Sequence, residues 1–335
     1  MGKAKGSGAD VSLLAASARL ERATSGALRH IAVDALSLGV GERLPKGDSY
    51  RQASAVGSGT VQQAFTILAS AGALETVSRG HLGRQIVKVR EDRLWRLADL
   101  DPVRLILPPR GPIEVRAMAE FAADVLGRRN IPFRMQHMRG ARDRIAAVVA
   151  GDADAAVVSS GGSEELMGTS GDLQLGAIQH SHGTYYAPGR LLVLSRQEIP
   201  EATRCRVAID YTSWDQARLT ECEFPKDRGH EYVDVDFPRV PVEILRGTVD
   251  VGIWHEMQTL IPPRLAGLEV SEPREVATHE LLARSSAAVF VYSTRRPELR
   301  VVLDALRETS FSARVENLMA ALGTNPDLFD FAWSV

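Results

Sequence analysis

The sequence Ser58-Gly-Thr-Val-Gln-Gln-Ala-Phe-Thr-Ile-Leu-Ala-Ser-Ala-Gly-Ala-Leu74, followed by Ser78-Arg-Gly-His-Leu-Gly83, carries the most informative pattern in this chain. Its apolar side chains recur at the three- and four-residue spacing of a helix with one buried face. Ser58 is expected to cap this helix at its N-terminus. The outward positions are small and polar, and a glycine-punctuated basic hairpin comes next. The predicted core stripe consists of Val61, Ala64, Phe65 and Leu68.

Further helices and strands surround this stretch. Apolar residues from about Thr24 to Leu38 follow the same helical spacing, and a short helix is expected around Ser49–Ala55. Ala73–Val77 and Gln85–Val89 read as two short strands that flank the hairpin turn. Three helices and a two-stranded hairpin predict a winged helix-turn-helix. The predicted segments are a loosely ordered tail over residues 1–21, the winged helix over 22–90 and a linker over 91–102.

In a helix-turn-helix the second helix enters the major groove of DNA, where a glutamine can contact adenine through two hydrogen bonds. A glycine in its first turn lets the backbone approach phosphates closely. Basic side chains between glycines fit a hairpin tip along the minor groove, and nearby arginines are expected to contact the DNA backbone. The alternative is that all these residues are merely solvated. The candidate DNA-binding residues are Arg51, Ser58, Gly59, Thr60, Gln62, Gln63, Arg79, Gly80, His81 and Arg84.

Charge is divided unevenly along the chain. Residues 1–100 hold 14 Lys and Arg against 9 Asp and Glu, while the remaining residues hold 26 against 33. A basic first domain on an acidic body fits a polyanionic partner for the first domain alone, such as double-stranded operator DNA. An uneven surface charge without a partner is the alternative.

The two cysteines, Cys205 and Cys222, cannot build a disulfide framework or a zinc site, so a reducing, cytoplasmic compartment is expected. No apolar run approaches the roughly 18 residues that span a membrane. The basic N-terminus faintly resembles a signal peptide, but its apolar stretch is short and a frayed tail is favoured.

From Val103 onward, strands and helices alternate, which predicts an α/β body. A helix, a glycine, an aspartate and an apolar strand occur in the same order in Val149–Val158 and Leu245–Trp254. This duplication predicts two similar lobes, the first from about 103–187 and 286–335 and the second from about 188–285. Two-lobed bodies bind small ligands in the cleft between the lobes.

The chain resembles a known group of bacterial regulators. Leu44-Pro45 and Thr60–Ala64 look like the winged helix of GntR-type transcription regulators, and the hairpin Ser78–Gly83 and the body are similar to the YhfZ-type members. The resemblance implies a DNA-binding repressor or activator whose C-terminal domain is similar to type-2 periplasmic binding proteins. The matching stretches of the body are His137–Ala141, Ala155–Ser159, Gly183–Tyr185, Arg206–Asp210, Ser213 with Asp215-Gln216, and Ile253-Trp254.

A ligand in the cleft is expected to meet helix N-termini, whose free amide groups and dipole favour anions. Hydroxyl-bearing segments stand between a strand and a helix in each lobe, and Arg139 could pair with a carboxylate or a phosphate. Ordinary capping and core packing are the alternative for each residue, and Asp210 and Asp215 are expected to be structural. The candidate ligand-binding residues are Arg139, Ser159, Ser160, Thr184, Tyr185, Thr212, Ser213 and Trp254.

Several catalytic and metal-binding motifs are not supported. His180 and His182 could form a metal pair, but no third ligand accompanies them, so neither a metal nor another cofactor is expected. Gly161-Gly162 lacks the lysine of a phosphate-binding loop, and Ser213 lacks the context of a hydrolase nucleophile. The favoured function is therefore a ligand-responsive transcription regulator, expected to be a homodimer and not an enzyme.

Two other classes stay open. The same scaffold could serve a small-molecule binding protein or an enzyme with an accessory winged helix. It could also serve a protein that binds DNA without an effector, in which case apolar side chains would fill the cleft.

Overall fold

The computed structural model describes residues 7–80, 83–170, 174–198, 204–257, 259, 261–307 and 310–324. Within these residues the chain divides into two compact units. The first runs to Val103 and also includes Val125–Pro132 and Arg296–Ala305, and the second comprises the rest.

The described part of the first unit up to Leu97 contains four helices and a three-stranded antiparallel sheet in the order β1-β3-β2. The stripe predicted for the third helix is confirmed, since all four of its apolar residues are buried there. Tyr50 of the second helix packs edge-on against Phe65 of the third, with 6.0 Å between the ring centroids. The elements are α1 (Ser7–Leu38), β1 (Arg43–Leu44), α2 (Gly47–Ser54), α3 (Ser58–Ser70), β2 (Leu74–Ser78), β3 (Arg84–Val89) and α4 (Glu91–Leu97).

Three predictions for this unit were wrong. Residues 7–21 are not a loosely ordered tail, because α1 already begins at Ser7 in a segment rich in the good helix formers Ala, Leu and Arg. The predicted linker contains α4, whose Leu94 and Trp95 are almost fully buried. Ser58 is not the cap of α3 but its first helical residue, and the preceding Gly57 takes the cap position.

The second unit holds two five-stranded mixed sheets, one for each lobe. The first has the order β5-β4-β6-β13-β7 and the second β10-β9-β11-β8-β12. From Val103 onward the elements are β4 (Val103–Leu107), α5 (Ile113–Arg128), β5 (Phe133–His137), α6 (Ala141–Ala150), β6 (Ala155–Ser159), α7 (Ser160–Ser170), β7 (Leu175–Gln179), β8 (Leu191–Ser195), β9 (Arg206–Ile209), α8 (Trp214–Glu223), β10 (Glu231–Asp234), α9 (Val240–Arg246), β11 (Val251–His255), β12 (Glu269–Ser271), α10 (Val276–Ser285), β13 (Ala288–Ser293), α11 (Arg300–Leu306) and α12 (Ser310–Thr324).

The two sheets share a pairing pattern. In the first, β4 and β6 are parallel and β13 runs antiparallel between β6 and β7. In the second, β9 and β11 are parallel and β8 runs antiparallel between β11 and β12. The helix and strand of each sequence repeat are therefore α6–β6 and α9–β11, in equivalent places. Among the described residues, no helix has the length and apolar character needed to cross a bilayer.

Candidate functional site

The outer face of α3 is polar and open. Ser58, Gly59, Gln62 and Gln63 are exposed, and Thr60 is half-buried. A side chain added at Gly59 would meet no heavy atom within 4 Å, so this turn leaves room for another molecule against the backbone. The predicted display of small polar groups at the start of α3 is thus present on the surface.

Arg84 joins the hairpin β2–β3 to α3. One of its terminal nitrogens donates to Gln62 Oε1 at 3.2 Å, and its guanidinium lies 4.6 Å from the centroid of the Phe65 ring. The other terminal nitrogen contacts the Thr76 hydroxyl at 3.4 Å. Arg84 was predicted to contact the DNA backbone, and the structure holds its side chain half-buried between the helix and the strands.

The turn of the hairpin carries the other basic candidates. The Arg79 amide donates to the Gly83 carbonyl at 2.9 Å, and its side chain contacts Gln85 Oε1 at 3.3 Å. Gly80 has φ +62°, a left-handed conformation that glycine adopts without strain. His81 lies outside the described residues.

A groove runs from α2 to the base of the hairpin. It is lined by Lys46 and Arg51 of the α2 region, by Ser58 and Gln62 of α3, and by Arg84. Arg51 is ion-paired with Asp48 at 2.8 Å, and both side chains are solvent-exposed. Exposed pairs of this kind contribute little to stability, so Arg51 can exchange its partner at low cost.

The cleft between the two lobes encloses a cavity of about 30 Å³, room for roughly one or two water molecules. Polar and apolar groups line it about equally, so the cleft is not filled by apolar side chains alone. The lining residues from the first lobe are Pro108, Pro109, Pro112, Val115, Arg139, Gly140, Arg144, Tyr185 and Tyr186, and those from the second are Asp210, Thr212, Ser213, Gln216, Phe237 and His255.

Arg139 bridges the lobes. Its guanidinium donates to Asp210 Oδ2 at 2.9 Å and to the Thr212 hydroxyl at 3.1 Å, and it pairs with Asp236 at 2.6 Å. Burial works to lower the pKa of Arg139, but the hydrogen bonds to the two carboxylates outweigh it and the pKa is raised. The sequence predicted Arg139 as an anion ligand, whereas its terminal nitrogens are occupied by carboxylates of the opposite lobe.

A second contact between the lobes joins Ser159 to Asp215. The Ser159 hydroxyl donates to Asp215 Oδ1 at 2.6 Å and accepts from the Gly162 amide at 2.9 Å. Complete burial raises the pKa of Asp215 to about 6, against the opposing effects of Ser159 and Arg144. Ser159 thus faces the opposite lobe, as predicted, but its hydrogen bonds are made within the protein.

The third contact is a buried pair. His255 Nε2 lies 3.2 Å from Glu114 Oε1, which also accepts the Ala187 amide at 2.8 Å. Glu114 is fully buried and His255 nearly so. Burial alone would raise the pKa of Glu114, but the charge and hydrogen bond of His255 outweigh it and hold the pKa below its usual value.

Arg144 adds a buried positive charge to the cavity wall. Its guanidinium donates to the carbonyls of Val157 at 2.8 Å and Met138 at 2.9 Å, and to the Tyr185 hydroxyl at 3.2 Å. Burial raises the pKa of Tyr185 to about 12, so this phenol stays protonated. Tyr185 was correctly predicted to lie at the cleft.

Four predicted ligand residues do not line this cavity, and one of them is Ser159, whose hydrogen bonds are described above. The Ser160 hydroxyl bonds the Arg284 carbonyl, and the Thr184 hydroxyl donates to Ser181 and accepts the Ala288 amide, so both fix the backbone. Trp254 packs in the apolar core of the second lobe. Both faces of β11 are buried, and strand alternation therefore could not show which way Trp254 points.

Sequence reasoning missed four buried polar residues at the cleft, Glu114, Arg144, Gln216 and His255. A usable signal existed for Arg144, since it interrupts the apolar face of α6, and charged residues are almost never buried without a partner. Thr212 and Ser213 do line the cavity as predicted.

The sequence favours a solvated loop over a metal pair for His180 and His182, and in the structure His180 packs against aromatic rings while His182 is exposed. The His180 ring lies 4.7 Å from the ring of Phe311 and 5.4 Å from that of Phe290, and burial lowers its pKa to about 4. His182 Nδ1 lies 3.0 Å from the Ser286 hydroxyl. Across the described ranges, no group of three or more His, Cys, Asp or Glu side chains could hold a metal ion.

Comparisons with known proteins agree with the two-lobed body. The chain is 29% identical over 216 residues to the uncharacterized protein YhfZ of Escherichia coli strain K12, covering 64% of this chain and 69% of that one. The crystal structure of YhfZ from Shigella flexneri aligns with a TM-score of 0.52 at 22% identity, covering 69% of this chain and 95% of that one. A periplasmic substrate-binding protein of an ABC transporter from Coxiella burnetii aligns at 16% identity and a TM-score of 0.41, covering 64% and 96%.

The body thus holds two lobes with mixed sheets and shares the fold of YhfZ from Shigella flexneri. The sequence model of the protein family named YhfZ C-terminal domain matches residues 91–318, which is more than half of the chain. The chain therefore belongs to the YhfZ C-terminal domain family.

Proposed function

We propose that this protein is a DNA-binding transcription regulator whose two-lobed body senses a small metabolite that carries an anionic group. The observation that carries the proposal is the surface of the first unit, where the exposed polar start of α3 adjoins Arg51, Arg84 and the glycine-containing hairpin. A winged helix-turn-helix uses such a surface, with α3 in the major groove and the hairpin as the wing.

The link between Arg84 and α3 supports this use. Because Arg84 bonds Gln62 and covers Phe65, the hairpin and the reading helix hold a fixed relation to each other. A preformed surface loses little conformational freedom on binding, which favours affinity. Gln63 is left exposed beside them for contact with base edges.

The sensor part of the proposal rests on the cleft. The N-termini of α6 and α8 are both near the cavity, since Gly140 and Ser213, the residues just before these helices, line it. Their free amide groups favour an anionic group. We further propose that the protein is a homodimer, because paired winged helices read two half-sites of DNA. Its target is then DNA in the cytoplasm.

The DNA-binding proposal is tested with the full chain by selection from random duplexes and by titrations at several salt concentrations. Gln63→Ala should lose about 1–3 kcal/mol of discrimination at one base position while the affinity for other sequences stays nearly constant. Arg79→Ala should weaken all sequences alike and reduce the salt slope by about 1.

Arg218→Ala, which removes an exposed arginine of α8 that is ion-paired with Glu221, is the matched control and should leave DNA binding unchanged. Equal effects of Arg79→Ala and Arg218→Ala, together with no effect of Gln63→Ala, would contradict the proposal.

A further inference from the structure

Polar atoms in the wall of the cavity between the lobes and directly behind it have no partner within the protein. Among the described residues, Gln216 Oε1, Glu114 Oε2 and Arg139 Nε are buried and make no hydrogen bond. Gln216 and Glu114 are 3% and 0% exposed. Buried polar groups are almost always paired in native proteins, so three such atoms around one cavity call for an explanation.

The three atoms need opposite kinds of partner. Gln216 Oε1 and Glu114 Oε2 are acceptors and need a donor, and the carboxylate of Glu114 favours a positively charged one. Arg139 Nε is a donor and needs an acceptor. Gln216 and Arg139 line the cavity directly, and Glu114 is joined to the cavity wall through His255.

The helix termini strengthen the demand for an acceptor. Helices α6 and α8 have ten residues each and begin at the cavity, and no side chain caps their first amides. These amides and Arg139 Nε together suit one anionic group.

The charges around the cavity exclude a ligand that is only an anion. Two guanidinium groups, Arg139 and Arg144, and the imidazole of His255 face four carboxyl groups there. Both guanidinium groups already donate to protein atoms, so an added anion would not be neutralised. A ligand whose own charges cancel avoids the cost of an unpaired buried charge. The four carboxyl groups belong to Glu114, Asp210, Asp215 and Asp236.

We propose that the effector is a small zwitterion with an ammonium group and a carboxylate or phosphonate, that is, a compound of the amino acid or aminophosphonate class. The ammonium group bonds Gln216 Oε1 and Glu114, and the anionic group meets Arg139 Nε and the first amides of α6 and α8. This inference rests on the proposed sensor function and specifies its ligand. Since the cavity holds only about 30 Å³, the lobes separate to admit the ligand.

The test is a thermal-shift screen of the full chain followed by calorimetry. The probes are the twenty proteinogenic amino acids and 2-aminoethylphosphonate, each beside the compound lacking its ammonium group and the compound lacking its anionic group. At least one zwitterion should stabilise the protein, and its deaminated acid should bind at least about tenfold more weakly, because the acceptors would be left unpaired. The decarboxylated or dephosphonylated amine should be weakened similarly.

Gln216→Leu should reduce the preference for the zwitterion over its deaminated acid by about tenfold. Trp254→Phe is the matched control, because the Trp254 indole nitrogen is also buried without a partner among the described residues but lies in the core of the second lobe. It should leave the preference unchanged, and Gln216→Glu, which keeps the acceptor, should retain zwitterion binding.

Two results would overturn the zwitterion assignment while leaving the anion sensor standing: acids that bind as tightly as their amino derivatives, or a preference that survives Gln216→Leu. Binding of the amines alone, or no stabilisation by any probe at 10 mM, on the order of the weakest affinity expected for a sensor, would overturn the assignment and the anion sensor together.

Discussion

Each lobe contains an aspartate, at the equivalent place of its sequence repeat, that accepts hydrogen bonds from the backbone and the side chain of one arginine. We call this contact the clip. In the first lobe, Asp154 accepts the backbone amide of Arg104 at 2.8 Å and its guanidinium at 2.9 Å. In the second, Asp250 accepts the amide of Arg206 at 2.8 Å and its guanidinium at 2.6 Å. Each clip ties one strand, β4 or β9, to the parallel strand that follows the repeated glycine, β6 or β11.

The clips differ in their exposure to water. The Asp154 side chain is 3% exposed and that of Asp250 is 41% exposed. Charge pairs near water are screened and contribute little, whereas removing one partner of a buried pair leaves an uncompensated charge. Identical geometry therefore gives unequal stability, and burial decides which clip matters.

The largest effect is expected from Asp154. Asp154→Ala should lower the free energy of unfolding by up to about 3 kcal/mol, because it removes the acceptor of the Arg104 backbone amide, whereas the Arg104 guanidinium is 39% exposed and keeps its contact with water. Asp250→Ala should cost only about 1 kcal/mol. Chemical denaturation of both variants measures the difference, and equal losses would show that burial does not distinguish the two clips.

The next largest effect is on the pH dependence of stability and comes from Asp215. This residue of the second lobe contacts Ser159 of the first. Its pKa of about 6 lies above the ordinary 3.8, so the folded protein binds this proton more tightly than the unfolded chain. The resulting stability is present below about pH 4 and is lost as the pH rises through 6. Since asparagine cannot ionise, Asp215→Asn should gain up to about 3 kcal/mol relative to the wild type between pH 4 and 7.

Denaturation at a series of pH values gives the difference in the free energy of unfolding between Asp215→Asn and the wild type. The titration of all other groups contributes equally to both proteins and cancels in this difference. Asp250→Asn is the control, because its pKa is lowered by the Arg206 hydrogen bond and the sign of its pH dependence is opposite. A difference for Asp215→Asn that stays flat from pH 4 to 7 would refute the raised pKa.

A smaller difference in stability is expected between substitutions at equivalent places of β11 and β6. Gly252 of β11 occupies the place that Ala156 has in β6, and a Cβ there would lie 2.8 Å from Val240 and 2.9 Å from Ala208. Gly252→Ala should therefore cost about 1–3 kcal/mol through overpacking. The reverse change, Ala156→Gly, should cost about 1–2 kcal/mol, through chain entropy and the loss of one buried methyl group. Stabilisation by Gly252→Ala would show that α9 can move away from β11 freely.

The smallest effect on stability is expected at Arg139. Arg139→Gln should cost about 1 kcal/mol, because the Arg139 side chain is 38% exposed and the buried Asp210 keeps its hydrogen bonds from Thr212 and from the Phe237 amide. The effect of Arg139→Gln on the separation of the lobes should be larger than its effect on stability, because the variant loses the contacts that join Arg139 to the opposite lobe. Small-angle scattering should show an increased radius of gyration in this variant and no increase in Arg218→Gln.

The sequence predicts the local elements well and the contacts between them poorly. The stripe of α3 and the duplicated helix and strand follow from periodicity, which depends only on nearby residues. The bridge from Arg139 to Asp210 spans 71 residues, and no local pattern could indicate it. Trp254 shows the same limit, because a strand buried on both faces has no polar side to fix its orientation.

The bridge at Arg139 also has a consequence for the dose at which a sensor responds. If the effector enters only when the lobes separate, the free energy held in the bridge is subtracted from the free energy of binding. A substitution at Asp236, which touches Arg139 from the opposite lobe, could then shift the threshold concentration while every ligand contact stays the same. Sensitivity and selectivity would be set by different residues, and each could change during evolution without the other.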